Sequence, residues 1–501
     1  MPKVTLHKSF NFLTVEPTTE HIFELLCKAL TYTEKVTNPE FYAYKRAEGV
    51  LPFIEVKQSM FTLDAKKRLS TSYGYWKLIR DTLKAAGYEV KLKDNTPAKP
   101  KDVYTPVWEN IKDISLKENQ PEFISAFLQH QCGRFDCPPG FGKSFMIGVL
   151  ARLLPYAKFD IVSTRVAVLR DRIYPELVQM VGDVGIVGGG KKLRDRRVMC
   201  YVAKSMQYSN HDADILIVDE GHEMGTDGYA SKLLHWHSAR RYSLSASHNK
   251  RTDNNDFKLQ GIFGDIIYRV SYKQAQKANM VVPIHIKWSA VPFCNVEVGR
   301  TDSPAAKNRK LIWTNTTRNK IIARDANLYD ADTQVLITVS TLEHALHLKK
   351  VLPDYTLVYA ENGITKQEFD YYQKHGLLTS VDKIMTFEQR QKLTKDFEQG
   401  TLKKVIATTV WNVGVSFNAL QVLIRADGTG SAIGAIQIPG RVSRTSKDKE
   451  AGIVHDYMDQ FNPSTAKKAL DRFTCYEEMG WKQEAPINSP FHRRLTKCKN
   501  H

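Results

Sequence analysis

Residues 137–144 read CPPGFGKS. Gly140 and Gly142 permit positive φ, so successive backbone N–H groups can converge on one anion. Lys143 can reach the β- and γ-phosphates of a nucleotide, and the Ser144 hydroxyl can bind Mg²⁺. The Gly that usually opens such a loop is replaced by Cys137. About 75 residues further on, DILIVDEGH (214–222) is an apolar run ending in Asp219-Glu220. A carboxylate at a strand end, Asp219, can hold Mg²⁺ opposite Ser144. Its neighbour Glu220 can orient and deprotonate an attacking water. Together the two segments point to hydrolysis of a nucleoside triphosphate.

Such residues need elements to hold them. The apolar stretch FMIGVLARLL (145–154) predicts a helix whose N-terminus points at the phosphates, and GRFD (133–136) a short strand before the loop. From about 107 to 285, β-rich segments (160–164, 197–202, 214–220, 242–247) alternate with helical ones. That rhythm argues a parallel sheet with helices on both faces. A second set (334–340, 356–360, 403–409, 421–426) predicts a second, similar domain. Residues 1–94 close with a helix (about 75–86), a Gly turn and the alternating strand YEVKLKD, and NTPAKPKD (95–102) has a linker's composition. Basic residues lie beside aromatics there, as in FYAYKR (41–46). The expected division is 1–102, 103–290, 291–460 and a C-terminal extension, 461–501.

The 501 residues are 42% hydrophobic and carry a net charge of +18, which favours a polyanionic partner, most simply nucleic acid. Seven scattered cysteines with no C-x-x-C pair predict reduced thiols, without a disulfide framework or zinc site. No run approaches a membrane span, and residues 1–15 lack a signal peptide's apolar core. The expectation is a cytoplasmic protein with no membrane partner.

Gln120, CPPGFGKS, DEGH, Ser245-Ala246-Ser247 and Gln437-x-x-Gly440-Arg441-x-x-Arg444 occur in one order and spacing. In these motifs the chain, over about 110–455, resembles the superfamily 2 helicases. Within them it is similar to the phage branch-migration DNA helicases (UvsW-like, more distantly RecG-like). The resemblance implies an α/β fold of two tandem RecA-like parallel-sheet domains with a small N-terminal α+β accessory domain that engages DNA. It implies ATP and Mg²⁺ as cofactors, forked or branched DNA as partner, and a monomer, in the host cytoplasm if phage-encoded. Pro139, Gly140, Phe141, Gly142, Lys143 and Ser144 would cradle ATP with Gly414 and Gln437, and Gln120 would read adenine. Lys143, Asp219, Glu220, Arg441 and Arg444 would carry catalysis, the two arginines acting across a cleft on the γ-phosphate. His222, Ser245 and Ser247 would couple nucleotide to DNA. Ser163, Thr164, Arg165, Gly189, Gly190, Lys191, Ser205, Gln207, Thr408 and Thr409 would face DNA phosphates. Residues 339–348 resemble motif IV, Arg390 and Phe397 would pack behind motif V, and Ser416 departs from the family and has no assigned role. The link 362–383 is longer than usual. The alternatives are an RNA helicase, which DEGH disfavours since DEAD-box enzymes carry Asp at the last position, and a duplex translocase that does not separate strands.

Overall fold

The computed structural model describes residues 1–38, 53–234, 236, 240–246, 255–299, 302–360, 363–379, 383–411, 417–446 and 449–497. Ser247, Gly414, Ser416 and the stretch 41–46 lie outside them. The chain divides into two compact units, Met1–Cys137 with Gly142–Arg269, and Pro138–Phe141 with Val270–His501.

The first unit is built on an eight-stranded sheet. Its order is Lys191–Leu193, Val184–Gly188, Val198–Val202, Phe159–Ser163, Ile215–Asp219, Arg240–Ser245, Cys132–Asp136, Ile266–Arg269. Only the Lys191–Leu193 edge runs antiparallel. Every residue of Phe159–Ser163, Val198–Val202 and Ile215–Asp219 is buried, as expected for parallel strands covered on both faces. The strands fall within a residue or two of their predicted positions. The helix after the loop is Lys143–Leu153, so Lys143 and Ser144 form its first turn.

A separate five-stranded sheet at the N-terminus includes Lys3–Ser9, whose burial alternates because one face packs on the helices Glu20–Ala29 and Trp76–Ala85. This sheet docks on the N-terminal edge of the large sheet. Lys8 Nζ reaches Gln131 just before Cys132–Asp136 at 2.5 Å, and Asn11 Nδ2 donates to the carbonyls of Leu234, at 3.2 Å, and Trp236. Gly74 sits where a Cβ would lie 2.1 Å from the Gln260 carbonyl oxygen, so only glycine permits that backbone-to-backbone approach. The predicted linker is tied down as well, through Lys99 to Asp214 at 2.8 Å. The described residues of 1–102 therefore pack onto the rest of the first unit, with Cys132 in their apolar core.

The second unit holds a seven-stranded sheet in the order Thr356–Val358, Lys404–Ala407, Val335–Thr338, Val422–Arg425, Gly452–Met458, Ile284–Ala290, Lys482–Glu484. Two boundaries shift. Ile284–Ala290, assigned from sequence to the first domain, pairs in parallel with Gly452–Met458 of the second. The C-terminal extension adds the edge strand Lys482–Glu484 and the helix Pro463–Glu478. Fully buried ion pairs join distant segments here: Arg318 to Asp459 at 2.8 Å and Arg472 to Asp456 at 2.8 Å. The long link contains the helix Lys366–Lys374, started by a capping box of Thr365 and Glu368.

Asp160, inside the first unit, accepts hydrogen bonds from Ser209 Oγ (2.9 Å) and Trp236 Nε1 (3.1 Å) at one carboxylate oxygen. Burial pushes its carboxyl up to about 7. A raised carboxyl contributes stability that is present below its unfolded value, about 3.9, and lost as pH rises toward 7. Asp160→Asn keeps an acceptor for both donors and cannot ionise. It is expected to stabilise this unit at pH 8, by up to about 4 kcal/mol, and to make little difference near pH 4. Denaturant midpoints across that range check the sign.

Candidate nucleotide and nucleic-acid site

The segments that follow the C-terminal ends of the first unit's parallel strands carry many of the residues singled out by sequence, among them Lys143, Glu220 and Arg165. Gly140 and Gly142 adopt φ of 88° and 89°. Cys137 continues the strand before them, its N–H donating to the Ser245 carbonyl at 2.8 Å, and its side chain is wholly buried. A small side chain fits there. A Cβ on Gly142 would lie 3.4 Å from Gln120 Nε2, so the Gln120 amide stands directly beside the loop. Its Oε1 is fixed by the Lys117 N–H at 2.9 Å.

Lys143 Nζ lies 3.4 Å from Glu220 Oε1, closing the distance between the loop and the strand-end carboxylates. Glu220 itself adopts φ of 50°, a left-handed conformation unusual for a non-glycine residue. Burial, followed by the neighbouring Glu220 charge, pushes the Asp219 carboxyl up to about 6, with Lys143 opposing. Two adjacent carboxylates beside one ammonium and the buried Ser144 form a donor set that suits a divalent cation with phosphates. Ser144 and Asp219 would hold Mg²⁺. His222 Nδ1 lies 2.7 Å from Ser245 Oγ and 3.4 Å from Glu220 Oε2. Contacts therefore run from Glu220 through His222 to Ser245.

The residues expected to face nucleic acid divide into two groups. Arg165, Gly189, Gly190, Lys191, Gln207 and Thr409 are exposed, and Thr164 and Ser205 partly so. Ser163 and Thr408 are buried, Ser163 completely. Their side chains cannot reach a strand on the surface, because each closes a segment packed within a central sheet. The Gly188–Gly190 tip is brought together with the segments that carry Arg165 and Ser205. A Cβ on Gly189 would touch Val166 at 2.7 Å, and one on Gly188 would lie 3.4 Å from Ser205 Oγ. The hairpin tip 188–191 thus fits between the segments after Phe159–Ser163 and Val198–Val202.

In the second unit, Gln437 ends the helix Ala432–Gln437, and Arg441 lies in the turn Pro439–Ser443 with 7% exposure. Arg444 follows, its backbone bridged to Val281. Phe397 is buried against Trp411 and Phe417, ring centroids 5.1 and 4.7 Å away, so it supports the motif V segment by packing, as expected; Arg390 lies over the Phe387 ring at 5.1 Å.

One residue was missed from sequence. Glu223 receives Arg165 Nη2 at 2.7 Å and the Thr164 hydroxyl. Burial raises its carboxyl, but the Arg165 and Thr164 donors outweigh that and hold it below the usual range. Only its place three residues after Glu220 could have drawn attention to it.

Residues 328–446 match the helicase conserved C-terminal domain family. The chain is 25% identical over 369 residues to the DNA 3'-5' translocase XPB2 of Sulfurisphaera tokodaii, covering 69% of this chain and 82% of that protein. It is 24% identical over 414 residues to the protein named "Probable helicase D10" of Escherichia phage T5, covering 80% and 82%. Among solved structures, S. cerevisiae Dbp5 bound to RNA aligns with a TM-score of 0.51 at 12% identity, over 80% of this chain and 99% of that one. T4 UvsW aligns over 96% and 99% at 15% identity, with a TM-score of 0.41. No helix of the described residues is long and apolar enough to cross a membrane. Residues 328–446 thus carry a helicase C-terminal domain, on a chain of two parallel-sheet units that is similar to a DNA translocase and to a phage helicase.

Proposed function

We propose that the protein is an ATP-dependent DNA helicase or translocase that unwinds or branch-migrates forked and junction DNA in recombination, repair or replication. The observation that carries this reading is the 3.4 Å approach of Lys143 to Glu220 beside Asp219, on the edge that also displays Arg165, Gly189–Lys191 and Gln207. Mg²⁺, when bound, offsets charge on the phosphate oxygens. Lys143 holds the β- and γ-phosphates, Gln120 meets the adenine edge, and Glu220 accepts the proton of the attacking water. Arg441 of the second unit stabilises charge that builds on the γ-phosphate, with Arg444 and Gln437 beside it in sequence. Backbone N–H groups, hydroxyls and cations on the exposed edge grip phosphates and carry no base information. Alternating grip driven by hydrolysis moves the protein along a strand.

For residues 1–102 we propose a DNA-engaging role through Arg80, whose guanidinium lies 4.8 Å over the Trp76 ring. A chain starting near residue 103 is a poor test, since it would uncover Cys132 and strip the contacts at Asn11 and Gly74. The whole 501-residue chain is the correct reagent. ATP turnover and strand separation, measured on forked DNA, Holliday-type DNA and RNA duplexes at equal salt, should be highest on branched DNA. Equal activity on RNA, or turnover without strand movement, would defeat the branched-DNA reading.

A further inference from the structure

Glu220, Gly221, His222 and Glu223 form one tight turn at the end of Ile215–Asp219. Glu223 N–H donates to the Glu220 carbonyl at 3.0 Å. Gly221 is pressed so closely on Ser243 that a Cβ there would lie 1.9 Å from Ser243 Oγ. The turn is thus pinned to the neighbouring strand and admits little independent motion. Displacement of Glu220 must therefore carry Glu223 with it.

At its far end the turn grips the nucleic-acid edge. Arg165 Nη2 and Nε lie 2.7 and 3.4 Å from the two Glu223 oxygens, and Thr164 Oγ1 donates to one of them. The Arg165 side chain is 49% exposed while that of Glu223 is 23% exposed, so the guanidinium faces outward from a partly sheltered carboxylate. Arg165 precedes Val166, which the Gly188–Gly190 tip overlies, and so stands within the exposed row. A guanidinium forms bidentate bonds to carboxylate and phosphate alike, and the two acceptors compete for the same fork.

We propose that Glu223 is the positioning residue that couples nucleotide to nucleic acid. In one nucleotide state it holds Arg165 and Thr164, and in another it releases Arg165 to a backbone phosphate. The inference rests on the reading under Proposed function and adds to it a residue outside the helicase motifs. Coupling of this kind is reciprocal: whatever factor the nucleotide applies to DNA affinity, DNA applies to nucleotide affinity.

The test uses the full chain and a fluorescent oligo-dT strand. Its dissociation constant is measured with ADP and with a non-hydrolysable ATP analogue. ATP turnover is measured with and without the strand. For wild type the two dissociation constants should differ by roughly 5- to 150-fold, the usual range for coupled sites. In Glu223→Ala the ratio should fall to within about twofold of one and strand-stimulated turnover should drop at least about tenfold. Turnover without DNA should stay within about threefold of wild type, because Lys143, Asp219 and Glu220 remain in place. Glu223→Gln, which keeps acceptors but loses the charge, should lie between. An equal change of affinity in both nucleotide states would overturn the proposal, since Glu223 would then only orient Arg165. Loss of basal turnover in both variants would also overturn it, as a structural role. If wild-type turnover ignored nucleic acid altogether, the helicase reading itself would fail and the proposal with it.

Discussion

Lys143→Ala and Glu220→Gln are each expected to reduce ATP turnover by roughly 10²–10⁴-fold, with opposite effects on binding. Lys143 places its ammonium 3.4 Å from Glu220. Without it, the phosphates of ATP would meet Glu220 and Asp219 with less positive charge between them, and affinity should fall with rate. Glu220→Gln removes the base but keeps a side chain of the same shape against His222 and relieves the charge that raises Asp219. That variant should bind ATP at least as tightly as wild type and hold it unhydrolysed. Filter trapping of radiolabelled ATP separates the two outcomes. Near-wild-type hydrolysis by either variant would sink the assignment.

Arg441→Ala should cost about 10³–10⁵ in turnover of bound ATP, as removal of an arginine finger does, while ATP affinity changes by less than about tenfold. The side chain is 7% exposed and sits in a turn fixed on both sides. Ser443 Oγ donates to the Gly440 carbonyl at 2.6 Å, and the Ser443 carbonyl accepts from Val282 N–H at 2.7 Å. Because the turn is braced by backbone contacts that alanine retains, the fold of the second unit should survive. Single-turnover kinetics with unchanged thermal melting would isolate the catalytic loss. A collapse of affinity with unchanged turnover of bound ATP would make Arg441 a ground-state ligand only.

The chemistry of this protein is largely written in local sequence. CPPGFGKS had to form a loop before a helix because two of its glycines alone can take φ near 90° without strain, and the apolar run after Ser144 had nowhere to go but into a buried helix. DILIVDE had to be a central strand because a parallel strand covered on both faces needs apolar residues at every position. Its acidic end then fell at the strand's C-terminus. What the sequence could not decide were choices between distant partners. Ser163 and Thr408 match their motifs, yet their exposure depends on how deeply neighbouring strands pack around them. Ile284–Ala290 is apolar enough for either sheet, and only pairing with Gly452–Met458, far along the chain, assigns it. The N-terminal sheet reads as a separate domain until Gly74 and Asn11 meet backbone carbonyls of the helices Asn255–Phe263 and Asp227–Leu234 in the first unit. Glu223 has an ordinary acidic sequence context, and its meaning comes from Arg165 and Thr164, 58 and 59 residues away in the chain. Periodicity and backbone sterics are properties of neighbours, whereas burial, strand order and charge pairing are set by which segments the folded chain brings together.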